Sequence, residues 1–175
     1  MPELKIGVQL ASLRQPLKKA LHIAGELGAD AVEIDARHML RPSELSQTGL
    51  RQLRKVLADR NLQVCAIGFR TRRGYNVLEG LNQRVEATKQ AMQMAYQLGA
   101  NVVVNQIGQI PADTSDPAWE LLVQVLSDLG RHGQHVGAIL AAETGAEDPS
   151  ALLGVAEAVP PGCLGVNLDP GNLIV

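Results

Sequence analysis

Seven residues in this 175-residue chain have the types and placement to do chemistry together: Gln9, Glu33, Asp35, Arg70, Asn105, Glu143 and Asp169. Each stands near the end of a short apolar run, and the two-residue period of an extended chain assigns it a face. In the first run Ile6, Val8 and Leu10 share one side and Gln9 takes the other. Val32 and Ile34 oppose Glu33 and Asp35. Cys65, Ile67 and Phe69 oppose Ala66, Gly68 and Arg70. Asn105 falls in line with Val103, Glu143 with Ile139 and Ala141, while Asn167 and Asp169 stand against Val166 and Leu168. The pattern predicts one face on which polar groups from every run converge. Carboxylates gathered there are costly to bury unless they are paired, hydrogen-bonded or bound to a cation.

The elements that must position them alternate strictly. Strand-like runs at Lys5–Leu10, from Ala31, Gln63–Phe69, Asn101–Gln106, Ala138–Ala142 and Gly165–Leu168 are separated by segments of helical periodicity. Leu17, Ala20, Leu21 and Ala24 make the first helical stripe, which Gly28 closes. Leu50, Leu53 and Leu57 make the second, Leu81, Val85, Met92 and Ala95 the third, Leu122, Val125, Leu126 and Leu129 the fourth, and Leu152, Val155, Ala156 and Val159 the fifth. Such alternation implies right-handed crossovers and a parallel sheet under helices. The expected class is therefore α/β, as a (β/α) TIM-barrel type of fold or an open doubly wound sheet, in one domain over residues 1–175. No GxGxxG or Walker-type loop favours a nucleotide. In a barrel the polar ends converge on the C-terminal mouth, where active sites of that fold lie.

Composition narrows the function further. With 46% hydrophobic and 19% charged residues the chain can bury a sizeable core, and a net charge of -2 gives no basic field for nucleic acid or an anionic membrane. Phe69, Tyr75, Tyr96 and Trp119 are the whole aromatic complement, too few for base-stacking platforms. No apolar run reaches the roughly 18 residues of a membrane span, and no signal-peptide pattern opens the sequence. Cys65 and Cys163, far apart and inside apolar segments, are expected as buried free thiols of a cytoplasmic protein.

The motifs resemble those of the xylose isomerase-like TIM barrels, the sugar phosphate isomerase/epimerase superfamily. Gly7-Val-Gln-Leu-Ala-Ser-Leu-Arg14, then Gly-Glu-Leu-Gly-Ala-Asp and Ala-Val-Glu33-Ile, are similar to the family's opening. Ala95-Tyr-Gln-Leu-Gly-Ala-Asn-Val-Val-Val104 resembles its helix-to-fourth-strand junction. Leu140-Ala-Ala-Glu143 and Val166-Asn-Leu-Asp169-Pro-Gly-Asn172 resemble the ends of its fifth and sixth strands. The resemblance implies that Glu143 and Asp169 are two ligands of a divalent metal (Mn²⁺, Mg²⁺ or Zn²⁺), with Glu143 also an acid/base residue. It implies isomerisation or epimerisation of a sugar, sugar phosphate, polyol or keto acid through an ene-diolate. Asn172 stands where many family epimerases carry His. In the family the remaining ligands end a seventh and an eighth strand, so the 175 residues are expected to be three quarters of a longer barrel, inactive in isolation.

Several candidates have local alternatives. Asp169-Pro170 repeats Asp116-Pro117 and Asp148-Pro149, which read as helix starts. Glu33 and Asp35 suit substrate contact or an ion pair with Arg70. Gln9 and Asn105 suit substrate contact or a hydrogen-bonded core, and His38 the substrate or a solvated loop. Arg70, Arg72 and Arg73 suit a phosphate or carboxylate, or a solvated basic loop. The same Glu and Asp would serve a metal-dependent lyase or dehydratase of the superfamily. A multi-metal endonuclease is disfavoured for want of clustered His and a basic face. A third reading is a non-catalytic module whose exposed sheet edge, near Asn172-Leu-Ile-Val175, exchanges strands or forms a homo-oligomer.

Overall fold

The computed structural model describes residues 4–145 and 148–172; the expected free end at 173–175 lies outside them. Six parallel strands form one sheet in the order β1-β2-β3-β4-β5-β6. They are β1 Gly7–Gln9, β2 Ala31–Asp35, β3 Gln63–Gly68, β4 Val102–Asn105, β5 Ile139–Glu143 and β6 Leu164–Asn167. Helices α1 Leu17–Glu26, α2 Gln47–Ala58, α3 Leu81–Gln97, α4 Pro117–Val136 and α5 Pro149–Ala158 alternate with them, and 3-10 turns occupy Leu10–Leu13 and Pro42–Glu44. The architecture is thus α/β of the TIM-barrel type, with an open sheet.

Local chemistry sets the helix ends. Ser46 caps α2 by accepting from the Gly49 amide at 3.1 Å. Asp116 and Asp148 cap α4 and α5 through the Ala118 and Ser150 amides, each with Pro in the first turn, as their Asp-Pro pairs predict. Gly137 ends α4 at φ +91°, a conformation that suits glycine.

Register divides the sheet into rows. Ile34, Ile67, Val103, Leu140 and Leu164 lie side by side, as do Asp35, Gly68, Val104, Ala141 and Gly165. The first row is apolar and packs under the helices, where Leu21, Met92, Leu126 and Leu129 complete a closed core. The second row is made mostly of small residues, and it forms the inner face. Glu143 and Asn167 pair one step further along that face.

Three expectations of facing are corrected. A bulge between Val32 and Glu33 shifts the β2–β3 register, so Val64, not Cys65, goes under the helices. Cys65 instead lies on the inner side, with its Sγ close to Gly7 and accessible, whereas Cys163 is buried as expected. Asn105 does share a face with Val103, but that face is the helix side. Its Nδ2 donates to the Tyr75 hydroxyl at 2.9 Å, and its Oδ1 accepts from Thr71 at 3.3 Å. The Tyr75 hydroxyl also bonds Thr88 of α3 at 2.7 Å, so the buried amide is satisfied within the core. Ile6, expected under the helices, is 59% exposed because the first strand is only three residues long.

Candidate active site

The inner face near the C-terminal strand ends carries Glu33 from β2, Arg70 just after β3 and Glu143 from β5. Arg70 Nη2 lies 3.2 Å from Glu143 Oε1, an ion pair that reaches across β4. The guanidinium is half exposed, whereas the Glu143 side chain is only 4% exposed. Its second oxygen, Oε2, is buried and has no hydrogen-bond partner among the described residues. Ionised carboxylate oxygens buried in this way are expensive unless a further donor or cation meets them.

Glu33 is held differently. Gln9 Nε2 donates to its Oε1 at 3.0 Å, and Ser12 Oγ donates to Gln9 Oε1 at 2.7 Å, which fixes the amide's orientation. Burial pushes the Glu33 carboxyl above the ordinary glutamate range; the Gln9 bond and the Arg70 charge oppose the rise, and Glu143 and Asp35 add to it. Gly68 leaves room for this carboxylate, since a Cβ there would stand 2.7 Å from Glu33 Oε1.

The remaining expected site residues make their hydrogen bonds outside the Glu33, Arg70 and Glu143 group. Asp35 has no ion pair with Arg70; its Oδ1 accepts from the Arg37 and His38 amides at 2.7 and 2.8 Å and shapes the turn after β2. The imidazole of His38 follows on that exposed turn. Asp169 Oδ1 accepts from the Gly171 amide at 2.9 Å, the same turn chemistry as the other Asp-Pro pairs. Asn172 Nδ2 donates to the Thr144 carbonyl at 3.0 Å. Asn105 lies behind the sheet, as described. Two residues that the sequence did not single out take part. Ser12 orients Gln9, and Thr144 Oγ1 accepts from the Asp169 amide at 2.8 Å, tying the ends of β5 and β6 together. Neither has a signal of its own, since a lone hydroxyl in a loop is ordinary.

Beyond Glu143, on the helix side, an apolar cavity of about 560 Å³ is lined by Ile107, Ile110, Leu152, Val166 and Leu168 and reaches Thr144. It brings no charged groups together other than Glu143 at its edge.

Strand order and the small residues of the inner face define a (β/α) architecture of the TIM-barrel type. The sequence matches the family model described as xylose isomerase-like TIM barrel over residues 21–175, and the chain belongs to that family. A xylose isomerase domain protein from Planctomyces limnophilus superposes with a TM-score of 0.84 at 26% identity, over 99% of this chain and 66% of its own. A xylose isomerase-like TIM barrel protein from Mycobacterium smegmatis, solved with magnesium, gives 0.76 at 22% identity, covering 97% of this chain and 65% of that one. The probable 3-DHS dehydratase AsbF from Bacillus anthracis gives 0.75 at 19% identity, covering 95% and 63%. The chain therefore spans about two thirds of the length of these solved relatives. Sugar epimerases and a sugar phosphate isomerase/epimerase are among the other structures of this fold that it resembles. No curated protein sequence matches significantly. Among the described residues no helix is long and apolar enough to cross a membrane.

Proposed function

We propose that the intact protein is a divalent-metal-dependent isomerase or epimerase of a sugar-like small molecule, working by proton transfer at the carbon beside a carbonyl. The observation that carries this reading is Glu143. Its Oε1 is held by Arg70 and its Oε2 is buried without a partner among the described residues, so one oxygen is positioned and the other is left to act.

The donors present agree with a hard or borderline cation in kind. Glu143 Oε2 needs a partner, and Asp169 follows Asn167, the register partner of Glu143, by two residues. They supply half of a set, since no group of three or more His, Cys, Asp or Glu side chains assembles among the described residues. Glu143 and Asp169 would hold the metal, which when bound polarises the carbonyl and its neighbouring hydroxyl. The chain's own groups do the rest. Glu143 takes the proton from carbon, Arg70 keeps the carboxylate oriented, and Glu33, held by Gln9, accepts or donates a hydrogen bond to a substrate hydroxyl.

Titration calorimetry with Mn²⁺ on the intact protein tests the metal assignment. Binding is expected in the wild type and lost in both Glu143→Ala and Asp169→Ala; binding that survives in both variants refutes these ligands. In D₂O, a responsive ketose should gain deuterium beside its carbonyl with wild type, and exchange should stop in Glu143→Gln.

A further inference from the structure

The segment after β3 carries Arg70, Arg72 and Arg73, and the structure sends them to opposite sides of the sheet. Arg70 turns inward to Glu143. Arg72 and Arg73 line a groove of about 380 Å³, together with Arg37 from the turn after β2 and Arg84 from the first turn of α3. The groove is on the helix side: its walls include Phe69, which packs in the outer core, and Thr71, whose hydroxyl bonds Asn105 behind the sheet.

Its charge and hydrogen-bond donors are unbalanced. Four guanidiniums face a single carboxylate, Glu79, in a chain whose overall charge is -2. That carboxylate pairs with Arg73. Backbone carbonyls hold two of the other arginines in place: Arg37 Nη1 donates to Arg70 O at 2.8 Å, and Arg84 donates to the carbonyls of Glu79 and Val77. Carbonyls fix these groups without neutralising them. Arg84 Nε is buried with no partner, and the exposed Arg72 has no hydrogen bond or ion pair among the described residues. Gly80 begins α3 with no side-chain cap, so the positive end of a 17-residue helix opens onto the same groove. Pre-placed guanidinium forks with spare donors match the tetrahedral oxygens of a dianion, and a neutral sugar would leave the charge unmet.

We propose that this groove is a second ligand site, separate from the inner-face carboxylates, that takes the phosphate group of a small phosphorylated molecule. It is independent of the metal and isomerase reading above. It also has a link to the inner site, because Arg37 bonds the carbonyl of the residue whose side chain holds Glu143.

Inorganic phosphate is the probe, titrated into the chain at constant ionic strength made up with chloride and followed by backbone amide NMR. Saturable shifts are expected at residues 72 and 73 and in the first turn of α3. Arg72→Gln, a change at an exposed residue, should weaken the affinity by about tenfold, the loss of one charge-assisted bond. Glu143→Gln should bind phosphate as the wild type does. The proposal fails if the shifts do not saturate, if Arg72→Gln binds unchanged, or if Glu143→Gln loses binding that Arg72→Gln retains, which would put the phosphate in the inner site.

Discussion

At the scale of single residues, the Arg70–Glu143 pair combines a half-exposed cation with a carboxylate that is almost wholly buried. Removing the cation leaves the buried oxygen pair without a donor, a cost of about 1–3 kcal/mol. Arg70→Met should lower stability in urea by that amount, and Glu143→Gln should recover part of it in the double variant. A neutral Arg70→Met would show that solvent already satisfies the pair. Glu33 makes a separate prediction in pH. Its folded pKa is raised by burial, so the folded state holds its proton more tightly than the unfolded chain. Stability at Glu33 is therefore full below the ordinary glutamate value, falls as pH rises toward the raised folded value, and is level above it. Glu33→Gln lacks this loss, and its stability relative to wild type should increase as pH rises from the ordinary glutamate value through the raised folded value. Carboxyl NMR should show the Glu33 pKa rising further in Gln9→Leu, because the opposing hydrogen bond is gone, and less so in Ser12→Ala. An unchanged Glu33 titration in Gln9→Leu would remove Gln9 from the site.

At the scale of elements, packing against backbone decides which glycines tolerate a methyl group. A Cβ at Gly130 of α4 would stand 2.2 Å from Cys163 Cβ and 2.6 Å from its backbone, where the chain comes into β6. Nothing flexible is there to move, so Gly130→Ala should cost about 1–3 kcal/mol or more. At Gly154 of α5 the nearest atom is Trp119 Cη2 at 3.5 Å, ordinary contact. Gly154→Ala should stabilise by about 0.5–1 kcal/mol through helix propensity alone. Thermal melting of both variants checks the contrast, and equal shifts would overturn it. The same distinction between local and tertiary causes explains what the sequence revealed. All six strands and five helices were legible, because apolar periodicity and Asp-Pro, Ser and Gly punctuation are local signals. Facing was legible where counting from an apolar neighbour suffices, as for Glu33 and Glu143. It failed where register is set elsewhere. The bulge opposite Val32 turned Cys65 inward, and Asn105 found its partner in Tyr75, thirty positions earlier, which no spacing rule announces. Asp35 takes the inner-face register expected of it, but its Oδ1 accepts from two turn amides and forms no pair with Arg70.

At the scale of the whole molecule, the sheet has two edge strands among the described residues: there β1 pairs with β2 alone and β6 with β5 alone. Parallel sheets are normally covered on both faces, and a flat open strand is a template for another chain. The β6 side carries the greater liability. Val166 is 53% and Leu168 66% exposed, and both line the 560 Å³ apolar cavity opposite Leu152 and Leu153 of α5. Burying such surface is favourable by about 25 cal/mol per Å², so a second copy of the chain is an available cover at high concentration. The 175-residue chain should therefore sediment with an increasing weight-average mass as its concentration rises. Val166→Lys and Leu168→Lys, which set charges on that flank without touching the inner face, should each hold it monomeric while Glu143 and Arg70 stay paired. If the chain is monomeric at every concentration, or if the lysine variants associate as the wild type does, the β6 flank is not the adhesive surface, and the apolar cavity beside it is covered from within.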